Sequence, residues 1–328
     1  MTNYKNVKYN FPAVTLSGAT EGSPAEGDIW YDSGKFYLGT SQTFTPGVWS
    51  SGGNLGTARY ALAGAGTQSA GLCAGGSDAG GYSNVTEEYD GTSWSSGGNL
   101  ATARRELAGA GTQAAGLCAG GTDGSVSNVT EEYDGTSWSS GGNLGTARES
   151  LAGAGTQSAG LCFGGITGGS YSNVTEEYDG TSWSAGGNLA TARNYLAGAG
   201  TQSAGLCMGG WVAPSYQNVT EEYDGTSWSG GGNLATARSS LAGAGTQSAG
   251  LCMGGETGSV SNVTEEYDGS AWSSGGNLGT ARSYVAGAGT QTAGLCMGGW
   301  TGSYSSVTEE YNPGPGSYDE LFTPSQGL

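Results

Sequence analysis

The chain has 328 residues, including 67 glycines, with 10 lysine and arginine residues against 28 aspartate and glutamate residues. The resulting net charge of −18 repels phosphate backbones and anionic lipid, so we expect the protein neither to bind nucleic acid nor to insert into a membrane. Histidine is absent, which excludes catalytic centres built on a histidine base. No apolar run is long enough to cross a bilayer, and the polar start of the chain is not typical of a signal peptide.

The first 46 residues lie outside the repeats and are predicted to form an N-terminal arm or anchor. Within them, residues 27–39 are predicted to form a short hairpin. This stretch resembles the small hairpin modules of bacteriophage tail and fibre proteins.

Six near-copies of one segment, each 44 or 45 residues long, fill residues 47–312. One copy cannot bury its own apolar face, so the copies must share a core. Turn residues such as Asp90-Gly91 divide each copy into four short segments that suit strands. Four antiparallel strands per copy predict an all-β fold, a six-bladed β-propeller.

In the first copy the predicted strands are residues 62–66, 70–75 and 85–90, followed by a fourth that carries Trp94. Glycine, alanine, leucine and cysteine dominate the first two strands, which suits the crowded axis of a propeller. Tyr89 and Trp94 are expected between blades, where each aromatic side chain buries ~150–250 Å².

The sixth copy supplies three strands and lacks the fourth-strand tryptophan that follows the tyrosine in the other copies. Residues 48–50, which include Trp49, are predicted to be its missing outer strand. Such a strand closes the ring and removes a free sheet edge. Residues 313–328 are predicted to be a C-terminal tail.

Each copy combines an arginine before the first strand, a glycine doublet after the second and then a tyrosine and a tryptophan, as at Arg59, Gly75-Gly76, Tyr89 and Trp94, with Trp49 serving the sixth copy. This pattern resembles the kelch-repeat propellers, although the copies are shorter than the ~50-residue kelch norm. WD repeats fit the length, but their Gly-His and Trp-Asp signatures are missing. The repeated Thr-Glu-Glu-Tyr-Asp-Gly-Thr-Ser-Trp run is also similar to kelch-type proteins of marine phages.

One cysteine occupies the same position in every copy. Equivalent positions on successive blades should lie beyond the ~7 Å limit for a disulfide, so we expect free, buried thiols. Without histidine or a Cys-x-x-Cys pair, no metal site is predicted. Free thiols favour folding in a cytoplasm, and we expect a virion protein assembled in the host cytoplasm.

The repeated arginines are predicted to pair with repeated glutamates as structural ion pairs. Calcium at these carboxylates is a weaker alternative, because no Asp-rich loop has the ligand spacing. The predicted partners are Arg59, Arg104, Arg148, Arg193, Arg238 and Arg282 with Glu88, Glu132, Glu177, Glu222, Glu266 and Glu310.

Strand alternation places the loops after the arginine and after the glycine doublet on one face, here called the variable face. The turns at 67–68 and 90–91 lie on the opposite face and hardly change between copies. Two clusters of aromatic residues are expected on the variable face, with the side chains of Trp211 and Trp300 largely exposed. Nine aromatic residues collect there: Tyr195 with Trp211 and Tyr216, Tyr284 with Trp300, Tyr304 and Tyr60, and also Tyr82 and Tyr171.

Aromatic residues on loops over a rigid scaffold are typical of recognition surfaces, and aromatic rings stack on sugars. We therefore expect a non-enzymatic virion or surface attachment module that recognises a glycan or surface polymer, without a cofactor. Its arm would contact other virion or assembly proteins, and it could form a homo-oligomer within an assembly. Tolerated drift of the loops is the alternative explanation of the variation.

Two other functions stay open at this point. A purely structural decoration or fibre protein would need no ligand. A sialidase-like enzyme would use arginines, carboxylates and a tyrosine, but Arg59, Glu87 and Glu88 recur in every copy. A single catalytic centre requires residues that break the repeat, so the chain is expected not to be an enzyme.

Overall fold

The structure is a computed structural model that describes residues 46–314 and the backbone of residues 29–32 and 35–38. Residues Pro46–Pro313 form one compact unit, and the described residues that precede it belong to a second unit. In the latter, strands Ile29–Asp32 and Lys35–Leu38 pair antiparallel, with Ile29 opposite Leu38. The remainder of the predicted arm and the predicted tail from residue 315 lie outside the described residues.

Six four-stranded antiparallel sheets form the predicted propeller, which confirms the fold class. No helix occurs in the described part of the chain, so none there could cross a bilayer. From the innermost to the outermost strand, the blades are Ala63–Thr67, Ala70–Ala74, Thr86–Tyr89 and Trp94–Ser96 (blade 1); Ala108–Thr112, Ala115–Ala119, Thr130–Tyr133 and Trp138–Ser140 (blade 2); Ala152–Thr156, Ala159–Phe163, Thr175–Tyr178 and Trp183–Ala185 (blade 3); Ala197–Thr201, Ala204–Met208, Thr220–Tyr223 and Trp228–Gly230 (blade 4); Ala242–Thr246, Ala249–Met253, Thr264–Tyr267 and Trp272–Ser274 (blade 5); and Ala286–Gly289, Gly294–Met297, Thr308–Asn312 and Val48–Ser51 (blade 6).

Three blades carry an additional two-stranded hairpin in the loop after the glycine doublet. These hairpins lie on the variable face, since they connect the second and third strands of their blades. They are Ser77–Asp78 with Gly81–Tyr82, Ile166–Thr167 with Ser170–Tyr171, and Trp211–Val212 with Ser215–Tyr216.

The last blade is completed by the N-terminal strand of the propeller, as predicted. Val48–Ser51 pairs antiparallel with Thr308–Asn312, and Trp49 lies opposite Tyr311. The indole Nε1 of Trp49 also donates to Thr264 Oγ1 of blade 5 at 2.9 Å. One strand therefore closes its own sheet and joins that sheet to its neighbour.

Adjacent blades meet closely at a glycine, the second residue of each innermost strand. A Cβ atom on Gly109 would lie 2.6 Å from the carbonyl oxygen of Gly64, and one on Gly198 would lie 2.5 Å from that of Gly153. Such distances are far inside van der Waals contact, so the backbones can approach only where the side chain is missing. This explains the first glycine of the Ala-Gly-Ala-Gly sequence, whereas the second, as at Gly66, has a positive φ of 90°.

Towards the periphery, side-chain hydrogen bonds join each blade to the preceding one. Trp138 Nε1 donates to Thr86 Oγ1 at 2.9 Å, and the hydroxyl of Tyr133 donates to Glu88. Burial and the bond to Glu88 raise the pKa of Tyr133 to about 12, so this hydroxyl keeps its proton at neutral pH. The same bonds recur at the other junctions, including the closure between blades 6 and 1.

The structure corrects the predicted ion pairs, because each arginine binds the first glutamate of its blade and not the second. Neighbouring residues of a strand point to opposite faces of the sheet. The first glutamate therefore faces the arginine, while the second faces the tyrosine of the next blade. The observed pairs are Arg59–Glu87, Arg104–Glu131, Arg148–Glu176, Arg193–Glu221, Arg238–Glu265 and Arg282–Glu309.

These arginines are fully buried and tie each blade to the segment that enters it. Arg59 donates to Glu87 Oε1 at 2.8 Å and to the carbonyl oxygens of Gly75 and Val85 at 2.7 and 2.6 Å. Glu87 also accepts a hydrogen bond from Gly56 N at 2.6 Å. Each ion pair therefore lies within one repeat and fixes the link that reaches it from the previous blade.

All six cysteines are free and buried, which confirms the expectation of unpaired thiols. Burial raises the pKa of the Cys118 thiol to about 12, so these side chains stay protonated and unreactive at neutral pH.

A pair of truncations tests the closure. Deletion of residues 1–45 leaves Val48–Ser51 in place and should leave the melting temperature of the propeller unchanged. Deletion of residues 1–51 removes that strand and the Trp49 contacts, exposes a sheet edge, and should lower the melting temperature sharply. Equal melting temperatures of the two proteins in calorimetry would contradict the closure.

Double-mutant cycles test the corrected ion pairs. Arg148→Met should cost about 3–5 kcal/mol in free energy of unfolding, since it leaves the buried Glu176 unpaired. The coupling energy between Arg148→Met and Glu176→Gln in urea denaturation should be about 1–3 kcal/mol. The matched cycle of Arg148→Met with Glu177→Gln should give a coupling energy of about 0.5 kcal/mol or less. A larger coupling to Glu177 than to Glu176 would contradict the observed pair and support the predicted one.

Candidate functional site

Six backbone hydrogen bonds form a closed ring around the propeller axis on the variable face. Glu106 N donates to Ala61 O at 2.8 Å, Ser150 N donates to Glu106 O at 2.9 Å, and the series continues until Ala61 N donates to Tyr284 O at 2.9 Å. We call these six residues the axial ring. Its members are Ala61, Glu106, Ser150, Tyr195, Ser240 and Tyr284.

All six residues of the axial ring have φ between 51° and 57°, in the left-handed region. This conformation costs roughly 1–2 kcal/mol for a residue other than glycine. The ring hydrogen bonds offset that cost, so the closed propeller holds six side chains in an otherwise unfavourable backbone conformation.

The side chains of the axial ring break the symmetry of the repeat, with one glutamate and two tyrosines among smaller residues. Glu106 Oε2 accepts hydrogen bonds from Ser150 Oγ at 2.5 Å and from the hydroxyl of Tyr195 at 3.4 Å. Glu106 Oε1 lies 3.5 Å from Arg105 Nε, and the Glu106 side chain is only 9% exposed. Burial raises the pKa of the Glu106 carboxyl, while the Ser150 hydrogen bond and Arg105 act in the opposite direction.

Two cavities follow each other along the axis. The inner cavity, of about 90 Å³, is lined by the axial ring and the residues that follow it, such as Leu62 and Leu107. The outer cavity, of about 320 Å³, shares Glu106, Tyr195 and Tyr284 with the inner one. Its full lining is Tyr60, Arg105, Glu106, Tyr195, Tyr284, Trp300 and Tyr304.

Five of the nine predicted aromatic residues meet in the wall of the outer cavity. The ring of Tyr60 lies 5.6 Å from those of Tyr284 and Trp300, and 5.7 Å from that of Tyr304, measured between centroids. The ring of Tyr195 packs 5.4 Å from that of Tyr284, so Tyr195 belongs to this group. The sequence predicted that it would lie with Trp211 and Tyr216. Left-handed backbone at Tyr195 and Tyr284 accompanies this convergence over the axis.

The other four aromatic residues do not line this cavity. Trp211 and Tyr216 form a pair of their own at 4.7 Å, and the hydroxyl of Tyr171 accepts from Ala213 N at 3.1 Å. Tyr82 is exposed and lies under the guanidinium of Arg105, 5.3 Å from it.

Trp211 and Trp300 are half-buried, so the expectation that both would be largely exposed is wrong. Each is held by backbone pairing near the axis, Trp211 with Asn194 and Trp300 with Ser283. Each ring also packs against a tyrosine of its own loop, which covers part of the indole.

The constancy of the opposite face has a structural cause. The side-chain amide of Gln113 donates to the carbonyl oxygens of Gly71 and Tyr89 in the preceding blade, at 3.0 and 2.8 Å. Asp90 accepts from the backbone of Thr92 at 2.8 Å and so holds its turn. The contrast between the faces therefore does not by itself separate recognition from drift.

Sequence reasoning missed Arg105 and Glu106 as members of the site. The signal was present, because Arg105 is the one arginine outside the repeated position and Glu106 is the one acidic residue at its position in the six copies. Their contact with the aromatic wall depends on ring closure, which brings blade 2 next to residues of blades 1, 4 and 6.

No protein-family model matches the chain, and no curated protein matches it. In the described part of the chain, no group of three or more acidic or cysteine side chains is arranged to hold a metal ion. The candidate site consists of the aromatic wall of the outer cavity and the Arg105–Glu106 pair.

Two substitutions at Ser240 test the strained backbone of the axial ring. Ser240→Gly should raise the free energy of unfolding by up to about 1 kcal/mol, since glycine adopts positive φ without steric cost. Ser240→Val should lower it by about 1–2 kcal/mol, because a β-branched residue is disfavoured there. Urea denaturation measures both, and the opposite order would contradict the left-handed conformation.

Proposed function

We propose that this propeller is a non-enzymatic binding module that recognises a carbohydrate through the outer cavity. The observation that supports it is the meeting of five aromatic residues around a cavity of about 320 Å³. Cavities of about 300–1,000 Å³ with aromatic walls and a few convergent polar groups are the usual form of ligand sites.

Carbohydrate is favoured by the chemistry of the lining. The apolar face of a sugar ring stacks on an aromatic ring, and its hydroxyl groups need donors and acceptors. Trp300 and Tyr304 provide partly exposed aromatic surface, while Arg105 and Glu106 provide a donor and an acceptor. Rigid support from the closed ring keeps the entropy cost of binding low.

The biological setting that we propose is attachment, with the propeller as a virion protein that binds a glycan or polymer on a host surface. Two resemblances support this: the repeated Thr-Glu-Glu-Tyr-Asp-Gly-Thr-Ser-Trp run is similar to kelch-type proteins of marine phages, and residues 27–39 resemble hairpins of phage tail and fibre proteins. Residues 1–46 would then connect the propeller to other proteins of the particle.

Binding without turnover is favoured over a sialidase-like activity by the composition of the cavity. A sialidase-like centre would need several arginines and carboxylates around its tyrosine, and most other glycosidases use two carboxyl groups about 5–9.5 Å apart. Among the described residues, Glu106 is the one carboxylate and Arg105 the one arginine that line the outer cavity. The residues that break the repeat therefore suit recognition better than catalysis.

A glycan array tests the proposal. The full chain should bind a subset of glycans, and Trp300→Ala should weaken that binding about 5- to 150-fold, equivalent to ~1–3 kcal/mol for an aromatic anchor. Val48→Ala is a suitable control, since Val48 is 47% exposed on an outer strand and does not line the cavity.

Three results would argue against this function. The array could show no binding, or Trp300→Ala and Val48→Ala could have equal affinities with unchanged melting temperatures. Turnover of a fluorogenic sialoside by the wild-type protein would instead favour the enzyme.

A further inference from the structure

The Arg105–Glu106 pair has hydrogen-bonding capacity that the protein does not use. Arg105 Nη1 donates to the hydroxyl of Tyr60 at 2.9 Å. In the described part of the chain, Arg105 Nη2 donates to no acceptor and Glu106 Oε1 accepts no hydrogen bond; Oε1 has only its 3.5 Å ionic contact with Arg105 Nε. One donor and one acceptor therefore remain next to each other at the cavity.

The position of this pair limits the charge of a ligand. Arg105 and Glu106 neutralise each other, so a neutral ligand leaves no buried charge unpaired. An ammonium group at Glu106 Oε1 would lie beside the Arg105 guanidinium and be repelled by it. An anionic group would approach Glu106 on a face that also carries Glu149 and Glu256, in a chain of net charge −18.

We propose that Arg105 and Glu106 select an uncharged sugar by binding two neighbouring hydroxyl groups of one ring. One hydroxyl donates to Glu106 Oε1, the adjacent hydroxyl accepts from Arg105 Nη2, and the face of the ring stacks on the aromatic wall formed with Trp300. The inference rests on the proposed carbohydrate-binding function and adds to it the class of ligand and the residues that determine specificity.

Adjacent hydroxyl groups suit this pair because a carboxylate and a guanidinium offer complementary, charge-assisted hydrogen bonds. The carboxylate is held in place by Ser150 and Tyr195, and the guanidinium by Tyr60. Both groups are therefore oriented before a ligand arrives, which reduces the entropy cost of binding.

Titration calorimetry with a panel of oligosaccharides tests the selection. Uncharged probes are cellotetraose, maltotetraose and mannotetraose; tetragalacturonic acid is the anionic probe and a glucosamine tetramer is the cationic one. We expect at least one uncharged tetrasaccharide to bind at least tenfold more tightly than either charged probe.

Variants then assign the selection to the pair, with the tightest uncharged tetrasaccharide as the probe. Glu106→Gln and Arg105→Met should each weaken its binding at least tenfold. The matched control Glu149→Gln alters an acidic residue of the neighbouring blade that does not line the cavity, and should change affinity less than twofold. Melting temperatures identify any variant that fails to fold. If Glu106→Gln does not fold, the affinity of Arg105→Met tests the inference.

The outcomes separate this inference from the function on which it rests. Preferential binding of a charged probe, or unchanged affinity in the two variants, overturns the inference and leaves carbohydrate binding intact. If no glycan on the array and no probe of the panel binds the wild-type protein, the proposed function fails and the inference with it.

Discussion

The close approach of the six innermost strands is the constraint on which the rest of this structure depends. Each strand places a glycine against the backbone of its neighbour, where a Cβ atom would lie about 2.5–2.6 Å from a carbonyl oxygen. That distance sets the width of the ring and allows the peptide groups of the axial ring to bond in a closed series. The outer cavity lies at this closed ring, since Glu106, Tyr195 and Tyr284 of the axial ring are part of its lining.

Outside the innermost strands, the stabilising contacts are divided among the positions that repeat most strictly. Tryptophan, tyrosine and glutamine side chains join successive blades, whereas the buried arginine and the first glutamate join a blade to its incoming link. On the variable face, blades are joined instead by the backbone hydrogen bonds of the axial ring and by side-chain contacts such as that of Arg105 with Tyr60. The backbone bonds of the axial ring do not depend on the side chain, so the residues around the cavity can differ from copy to copy while the ring stays closed.

The comparison of sequence and structure is informative for the two glutamates of each third strand. Their repetition with one arginine predicted an ion pair, but the sequence did not show which carboxylate faces the arginine. Strand alternation guarantees only that Glu87 and Glu88 point to different sides of the sheet. The packing of the next blade decides that Glu88 accepts the hydrogen bond from the Tyr133 hydroxyl, while Glu87 pairs with Arg59. Likewise, Tyr195 was grouped with Trp211 by its blade, but its ring packs on Tyr284 two blades away.

By itself, the sequence determined the number of blades, the order of strands, the closing strand Val48–Ser51 and the buried free thiols. These follow from periodicity, turn residues and strand propensity, which act over short stretches of chain. Only the tertiary structure decided the axial ring, its left-handed backbone and the meeting of Arg105 and Glu106 with Tyr60 and Trp300. Those features require blades distant in sequence to converge on one axis, and no local pattern records the geometry of a closed ring.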